Sequence, residues 1–441
     1  MNLSLARALR MDSASCVAFA GAGGKTTAMV KLARELGSNV IVTATTHLGK
    51  WQTEFADKHI ITEANSLEEI EKGFQGIFLI TGRLDGERTK PISNELLRWL
   101  YGHCKKHSIP LLIEADGSRQ KPLKGWAEYE PPIPEFADLV VQVIGMSGIG
   151  KTLSDEYIHR PEIFSKLSGL KQGERIGADA IIRVLTHPKG GLKNIPKDTR
   201  RVVLLNQADT PEFQSAAQAM KSPLLRAYHA VIVASLASKN IYAVHEPIAG
   251  VVLAAGGSTR FGKPKQLLDW KGQPFVRAVS ETAIRAGLSP IVVVTGANAE
   301  QVEAAISDLD VIFVRNADWQ SGQGSSIREA VKSLTDTQVG GAVFLLSDQP
   351  QVSTAVIRAL REKHTEELSS IVAPMVIDRR GNPVLFDRVT FPDLMTIEGD
   401  TGGRAIFHKY RVEYLPWHDD SLLLDVDTPE QYERLISNGD L

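Results

Sequence analysis

The chain has 441 residues, 43% hydrophobic and 23% charged, which is too long for one ordinary domain and apolar enough to bury full-sized cores. Its 50 basic and 52 acidic residues leave a formal charge of -2, so a basic nucleic-acid-binding surface is excluded. Two cysteines, Cys16 and Cys104, cannot build a disulfide framework. They fit a reducing cytoplasm, and neither a membrane span nor a signal peptide can be read from the chain.

Short β-branched runs alternate with helix-length amphipathic segments, the pattern of α/β layering. Strands are predicted at 16–21, 39–45, 76–82, 110–116, 138–145 and 200–207. A second series follows at 249–255, 290–296, 310–314, within 341–348, 369–375 and 411–415. Each series opens with a buried strand, a glycine-rich loop and a helix. The expectation is two three-layer Rossmann-like α/β domains, residues 1–245 and 246–441, the first P-loop-like and the second with a mostly parallel mixed sheet. The mixed polarity of "SKNIYAVHEP" and Pro247 read as a linker between them.

The first loop, "AGAGGKTT", leads from a strand into a helix whose Met29, Leu32, Ala33 and Leu36 share one face. Gly21, Gly23 and Gly24 let the backbone approach a phosphate, and Lys25, Thr26 and Thr27 stand where a phosphate lysine and a Mg²⁺ hydroxyl are needed. The spacing is shorter than the strict P-loop, whose position is held here by Phe19. "GMSGIGKT" at 145–152 does meet the strict spacing, but Pro161 and the absence of a long amphipathic face argue against a helix behind it. "IEADGSRQKPLKGW" ends a strand in Glu114 and Asp116, a carboxylate pair suited to Mg²⁺, followed by Arg119, Lys121 and Lys124. "NQAD" at 206–209 has the outline of a guanine-reading motif with Gln207 in place of its lysine.

With "TATTH", "HRPE" and "THPKGGLKNIP", these stretches make residues from about 10 to 235 resemble the YqeC-like accessory proteins of selenium-dependent molybdenum hydroxylases. The resemblance implies a nucleotide-binding maturation factor, using ATP or another nucleotide, with a molybdenum hydroxylase as recipient. Its reaction stays open. His47 and His159 are candidates for ligand contact.

The second loop, "LAAGGSTRFGKPKQL", again follows an apolar strand. Arg260 and Lys265 add positive charge where a triphosphate would lie. "LLSDQP" ends a strand in Asp348, where α/β sheets bind ligands and a carboxylate suits Mg²⁺. "LLLDVDTPEQY" offers Asp425 and Asp427 before a helix cap at Thr428. Ser325 or Ser326 is expected to cap a helix in "NADWQSGQGSSIREAV", and "EGDTGGRAIF" places Arg404 in a first turn.

In this order the blocks resemble the MobA/MocA-like nucleotidyltransferases over about 249–436, carried by Leu253, Ala254, Ala255, Gly256, Ser258, Arg260, Gly262 and Lys265, with Phe261 in place of the usual methionine. "DQP", "GNPVLF", "GDTGGR" and "DVDTPE" continue the match. The resemblance implies transfer of CMP from CTP to the phosphate of molybdopterin cofactor. Leu253, Ala255, Gly256 and Gly257 would hold the nucleotide, Arg260 and Lys265 the leaving pyrophosphate, and Asp348 with Asp427 the Mg²⁺. In the first domain, Asp116 would be the metal carboxylate. Ala255 and "KQLL" resemble the cytidylyl branch. The guanylyl branch, a sugar- or polyol-phosphate cytidylyltransferase, and a non-catalytic cofactor chaperone stay open as alternatives.

Overall fold

In the computed structural model, the described residues are 3–11, 14–37, 39–62, 70–71, 73–257, 261, 263–426 and 428–439. Backbone contacts divide the chain into Met1–His245 and Glu246–Leu441. No helix among the described residues is long and apolar enough to cross a membrane.

The N-terminal unit is built on a nine-stranded sheet. Across it run Asn240–His245, Ala230–Ser235, Arg200–Asn206, Leu139–Gly145, Cys16–Gly21, Leu111–Glu114, Val40–Ala44, Ile77–Thr81 and Lys58–Ile61. Every pairing is parallel except Ala230–Ser235 with Asn240–His245. The central strands are buried throughout, which is why they read as continuous apolar runs. Cys16–Gly21 lies between Leu139–Gly145 and Leu111–Glu114, so its C-terminal end opens where the chain turns to opposite sides of the sheet. Ligands of open α/β sheets bind at such a point.

The stretch expected to be a linker is an edge strand. Asn240–His245 pairs antiparallel with Ala230–Ser235, and the next strand begins at Ile248. Only Glu246 and Pro247 separate the two, because the alternation in "NIYAVH" finds a ladder partner in a strand missing from the predicted set.

In the C-terminal unit the order is Ile312–Arg315, Ile291–Thr295, Ile248–Ala254, Gly341–Leu346, Val384–Asp387, Ile371–Val376 and Arg379–Arg380, with Val412–Pro416 beside Ile371–Val376. The first four strands are parallel, and Val384–Asp387 runs antiparallel to both its neighbours. Alternate residues of Ile248–Ala254 face opposite cores. Val252 and Ala254 pack with Val276 and Val279 of the helix Phe275–Arg285. Val251 and Ala249 pack with Ile327, Ala330 and Val331 of the helix Gln323–Leu334. Helices therefore cover both faces of a mixed sheet.

Candidate functional sites

In the N-terminal unit the strand Cys16–Gly21 passes through Ala22–Gly24 into the helix Lys25–Leu36. Gly24, at φ 114, is the N-cap and supplies no side-chain cap, which leaves the first-turn N–H groups available to an anion. The loop is moulded by its surroundings. Gly21 and Gly23 have φ of 99 and 80, and a Cβ on either would collide with the backbone of Val143 or Gly145. Asn206 braces the loop from the far side: Nδ2 donates to Gly23 O at 2.8 Å while Oδ1 accepts from Leu236 N at 3.0 Å.

Lys25 is 4% exposed and folds back over the loop, donating to Gly21 O at 2.6 Å and lying 3.2 Å from Asp116 Oδ1. Thr26 Oγ1 donates to Glu114 Oε2 at 3.0 Å and accepts from Gln52 Nε2 at 2.7 Å. The carboxylate pair expected from the sequence is thus split. Glu114 faces Thr26 and lines the cleft. Asp116 is fully buried and does not line it, with both oxygens engaged by protein donors: Gly21 N, Lys25, Lys124 Nζ at 2.9 Å and Trp126 Nε1 at 2.9 Å. A metal ion would have to displace these donors. In this geometry Glu114, not Asp116, is the carboxylate that faces the cleft, and Asp116 holds Lys25 instead.

The two carboxyls titrate apart. Burial raises Glu114, and the nearby Lys25 and the Thr26 hydrogen bond offset this only in part. Burial also acts on Asp116, but Lys25 and Lys124 outweigh it and keep its carboxyl below the usual range. Lys124, one of the basic residues that follow the pair, is a buried counter-ion, bonded to Asp116, Gly117 O and Glu130. Glu130 in turn pairs with Arg160, so charge alternates from Lys25 through Asp116, Lys124 and Glu130 to Arg160.

Lys25, Thr26, Glu114, Glu130 and Arg160 border a cleft of about 1620 Å³ at the C-terminal edge of the sheet. His47, His159 and Gln207 also line it. Burial, with Arg160 and Lys124 beside it, pushes the His159 imidazole down to about 4. Gly145 abuts Gly23, and Met146–Gly148 is a short 3₁₀ turn with turns and no helix directly behind it. The start of "GMSGIGKT" therefore walls the glycine loop at Gly23. Ser147 Oγ donates to Gln207 Oε1, tying that wall to the "NQAD" segment.

In the C-terminal unit, Ala255–Gly257 follows the strand Ile248–Ala254. Gln266 Nε2 donates to Gly256 O at 2.7 Å and to Ala254 O at 3.2 Å, fixing the path of this loop. Trp319 packs against Gly257 so closely that a Cβ there would lie 2.8 Å from the ring. Arg260 and Asp427 lie outside the described residues, as do Ser258 and Gly262. Lys265 Nζ stands 3.9 Å from Asp348 Oδ2, so the two side chains assigned to triphosphate and metal are neighbours.

A cavity of about 340 Å³ joins Leu253, Asp348, Arg404 and Asp425. Asp425 accepts from Gln349 Nε2 at 2.7 Å and lines the cavity with Asp348 and Asp400. "DQP" and "DVDTPE", 76 positions apart, are thereby joined directly. Ser325 and Ser326 are not caps. The helix starts earlier, at Gln323 after Gly322, and both hydroxyls are buried, accepting from Asn316 Nδ2 at 2.8 and 3.0 Å. Gly324 N donates to Gly399 O, which docks "EGDTGGR" on this helix start. Thr428 does cap its helix, accepting from Gln431 N.

The two units match different known proteins. A family model described as YqeC protein matches residues 17–162, and one described as MobA-like NTP transferase domain matches 250–414. An uncharacterized protein YqeC of Escherichia coli is 31% identical over 216 residues, 47% of this chain and 82% of that protein. Nicotine blue oxidoreductase of Paenarthrobacter nicotinovorans is 34% identical over 200 residues, 43% of this chain and 96% of that protein. The crystal structure of Rv0371c from Mycobacterium tuberculosis H37Rv, 32% identical, covers 43% of this chain and 98% of its own, with a TM-score of 0.39. The chain belongs to both families, its N-terminal unit a YqeC domain and its C-terminal unit a MobA-like NTP transferase domain.

Proposed function

We propose that the C-terminal unit transfers CMP from CTP to the phosphate of molybdopterin cofactor, releasing pyrophosphate. The observation that carries this reading is the cavity at the strand ends, which gathers Leu253, Asp348, Arg404 and Asp425 beside Lys265. An oxygen of the acceptor phosphate forms the new bond to the α-phosphorus. The bond to the β-phosphoryl oxygen breaks, and pyrophosphate leaves with the electron pair. The nucleophile is already ionised, so no side chain has to remove a proton. The protein positions the reactants and neutralises charge.

Backbone groups of Ala255–Gly257 cradle the nucleotide, held in shape by Gln266 and Trp319. Arg260 and Lys265 are assigned to neutralise the leaving pyrophosphate. Asp348 offers hard oxygen of the kind Mg²⁺ prefers, with Asp427 as its partner, and bound Mg²⁺ would neutralise triphosphate charge. Asp425 supports the set from the cavity wall. Ala255 and "KQLL" favour CTP over GTP.

The N-terminal unit binds ATP or another nucleotide on Gly21–Thr27, with Thr26 and Glu114 toward Mg²⁺, and assists maturation of a molybdenum hydroxylase in the cytoplasm. The test is pyrophosphate release by the full chain with Mg²⁺, molybdenum cofactor and CTP, GTP or ATP in turn. Release with CTP, lost in Asp348→Ala while CTP still binds, is the expected result. Release with GTP alone overturns the base assignment, and no release with any overturns the reaction. A second reading, reduction of a heteroaromatic compound, is favoured by the 34% identity to a protein named nicotine blue oxidoreductase. NAD(P)H consumption without pyrophosphate release would select it.

A further inference from the structure

The cleft of the N-terminal unit extends to both sides of the phosphate loop. Strands Arg200–Asn206 and Ala230–Ser235 lie on one side of Cys16–Gly21 in the sheet, and the segments after them bring Gln207, Ala237 and Lys239 to the cleft. On the other side lie Leu111–Glu114, Val40–Ala44 and Ile77–Thr81, and the segments after these bring Thr45, Trp51, Arg88 and Arg119. A nucleotide seated on Gly21–Thr27 with its base toward Gln207 leaves this second half free.

That half carries an unusual surface. Trp51 is 58% and Tyr129 74% exposed, two of the most exposed large hydrophobic side chains among the described residues, and both line this one cleft. Large aromatic rings held in water beside a cleft mark a binding surface. One face of the Tyr129 ring is held by Arg160, 5.9 Å from its centroid, and Glu130 anchors that arginine. Arg88 and Arg119 are exposed and line the same walls. Thr45 Oγ1 is buried there without a hydrogen-bond partner. Arg119 and Arg160 have φ of 50 and 62, the kind of backbone strain that collects where a structure is organised around a ligand.

We propose that this half is a subsite for a second ligand, a flat heteroaromatic molecule carrying an anionic group, bound beside the nucleotide. Trp51 and Tyr129 supply stacking faces, Arg119 and Arg88 take the anion, and Thr45 donates or accepts one hydrogen bond. The proposal rests on the nucleotide reading of the loop only for what lies next to this ligand.

The test uses the full chain and quinoline-2-carboxylate as probe, followed by ligand-observed NMR with and without Mg²⁺–ATP or Mg²⁺–GTP. Quinoline and formate serve as probes lacking the anion and the ring. The expected result is saturable binding of quinoline-2-carboxylate at millimolar concentration, unchanged by nucleotide. Trp51→Ala and Arg119→Ala should each weaken it about tenfold, the scale of one stacking or charge contact. Trp51 and Arg119 are both exposed, so folding is not at stake in these two variants, and the melting temperature of Lys25→Ala, a buried position, is checked beside its binding. Lys25→Ala should lose the nucleotide and keep the probe. Absence of probe binding while nucleotide binds overturns the subsite and leaves the loop reading intact. Displacement of the probe by nucleotide also overturns it, because the aromatic faces then serve the base. Probe binding without any nucleotide binding overturns the loop reading alone.

Discussion

Lys124 is the most exacting place to test how the N-terminal glycine loop is held. Its side chain is 0% exposed, and its ammonium donates to Asp116 at 2.9 Å, Gly117 O at 2.8 Å and Glu130 at 3.1 Å. Lys124→Met keeps the length and apolar stem but strips two buried carboxylates and the half-buried Gly117 carbonyl of their donor. Removing one partner of a buried ion pair costs about 3–5 kcal/mol. Here Asp116 retains Lys25, Gly21 N and Trp126, and Glu130 retains Arg160, so the lower end, about 3 kcal/mol, applies. The assay is hydrogen exchange on the full chain, read in peptides covering Cys16–Gly21 and Leu111–Glu114. Such a loss speeds exchange through global opening of the unit roughly a hundredfold, with peptides of the C-terminal unit unchanged. The deficit should narrow as pH falls toward the carboxylate range, where protonation relieves the orphaned carboxyls. A change under about tenfold, worth roughly 1.4 kcal/mol, would refute the argument, since it would mean the alternating charges are not coupled through Lys124.

Asn206→Ala leaves the buried Gly23 carbonyl and Leu236 N–H without partners, and should cost about 2 kcal/mol together with a clear loss of nucleotide affinity by calorimetry. Unchanged affinity would show that the loop keeps its shape unaided. His159 titrates at about 4 in the fold against about 6.5 unfolded. Between those values the unfolded chain holds more protons, so stability falls as pH drops from 6.5 toward 4. His159→Gln should flatten the fall in melting temperature of the N-terminal unit across that window, and an equal fall in both proteins would place the titration elsewhere.

All twelve expected strands are present, because central strands of a parallel sheet are apolar runs with turn residues at both ends. What escaped was not confined to the edges, since Val384–Asp387, buried throughout, lies between Gly341–Leu346 and Ile371–Val376. Lys58–Ile61 is an edge strand with an exposed lysine and one buried residue, and offers neither a run nor an alternation. Ala230–Ser235 is fully buried and was legible in "AVIVAS", and with it the partner that turns "NIYAVH" from linker into strand. The glycine loops announced themselves. The split of Glu114 from Asp116 did not, since residues two apart on a strand share a face and only tertiary packing decides that one meets Thr26 and the other Lys124. Asn206 sat inside a motif considered for base reading. Its role as a brace depends on a contact 183 residues away, beyond any local pattern.

The close fit of Gly21 against Val143 and of Gly23 against Gly145 bears on portability. Eight letters copied into another α/β protein would not carry this loop's shape with them, because its curvature is imposed by the rim of the adjacent strand and by an amide from a third. Transplantation would have to move 139–148 and Asn206 as well. A search for descendants of this site should accordingly track three separated segments together, rather than the glycine string alone.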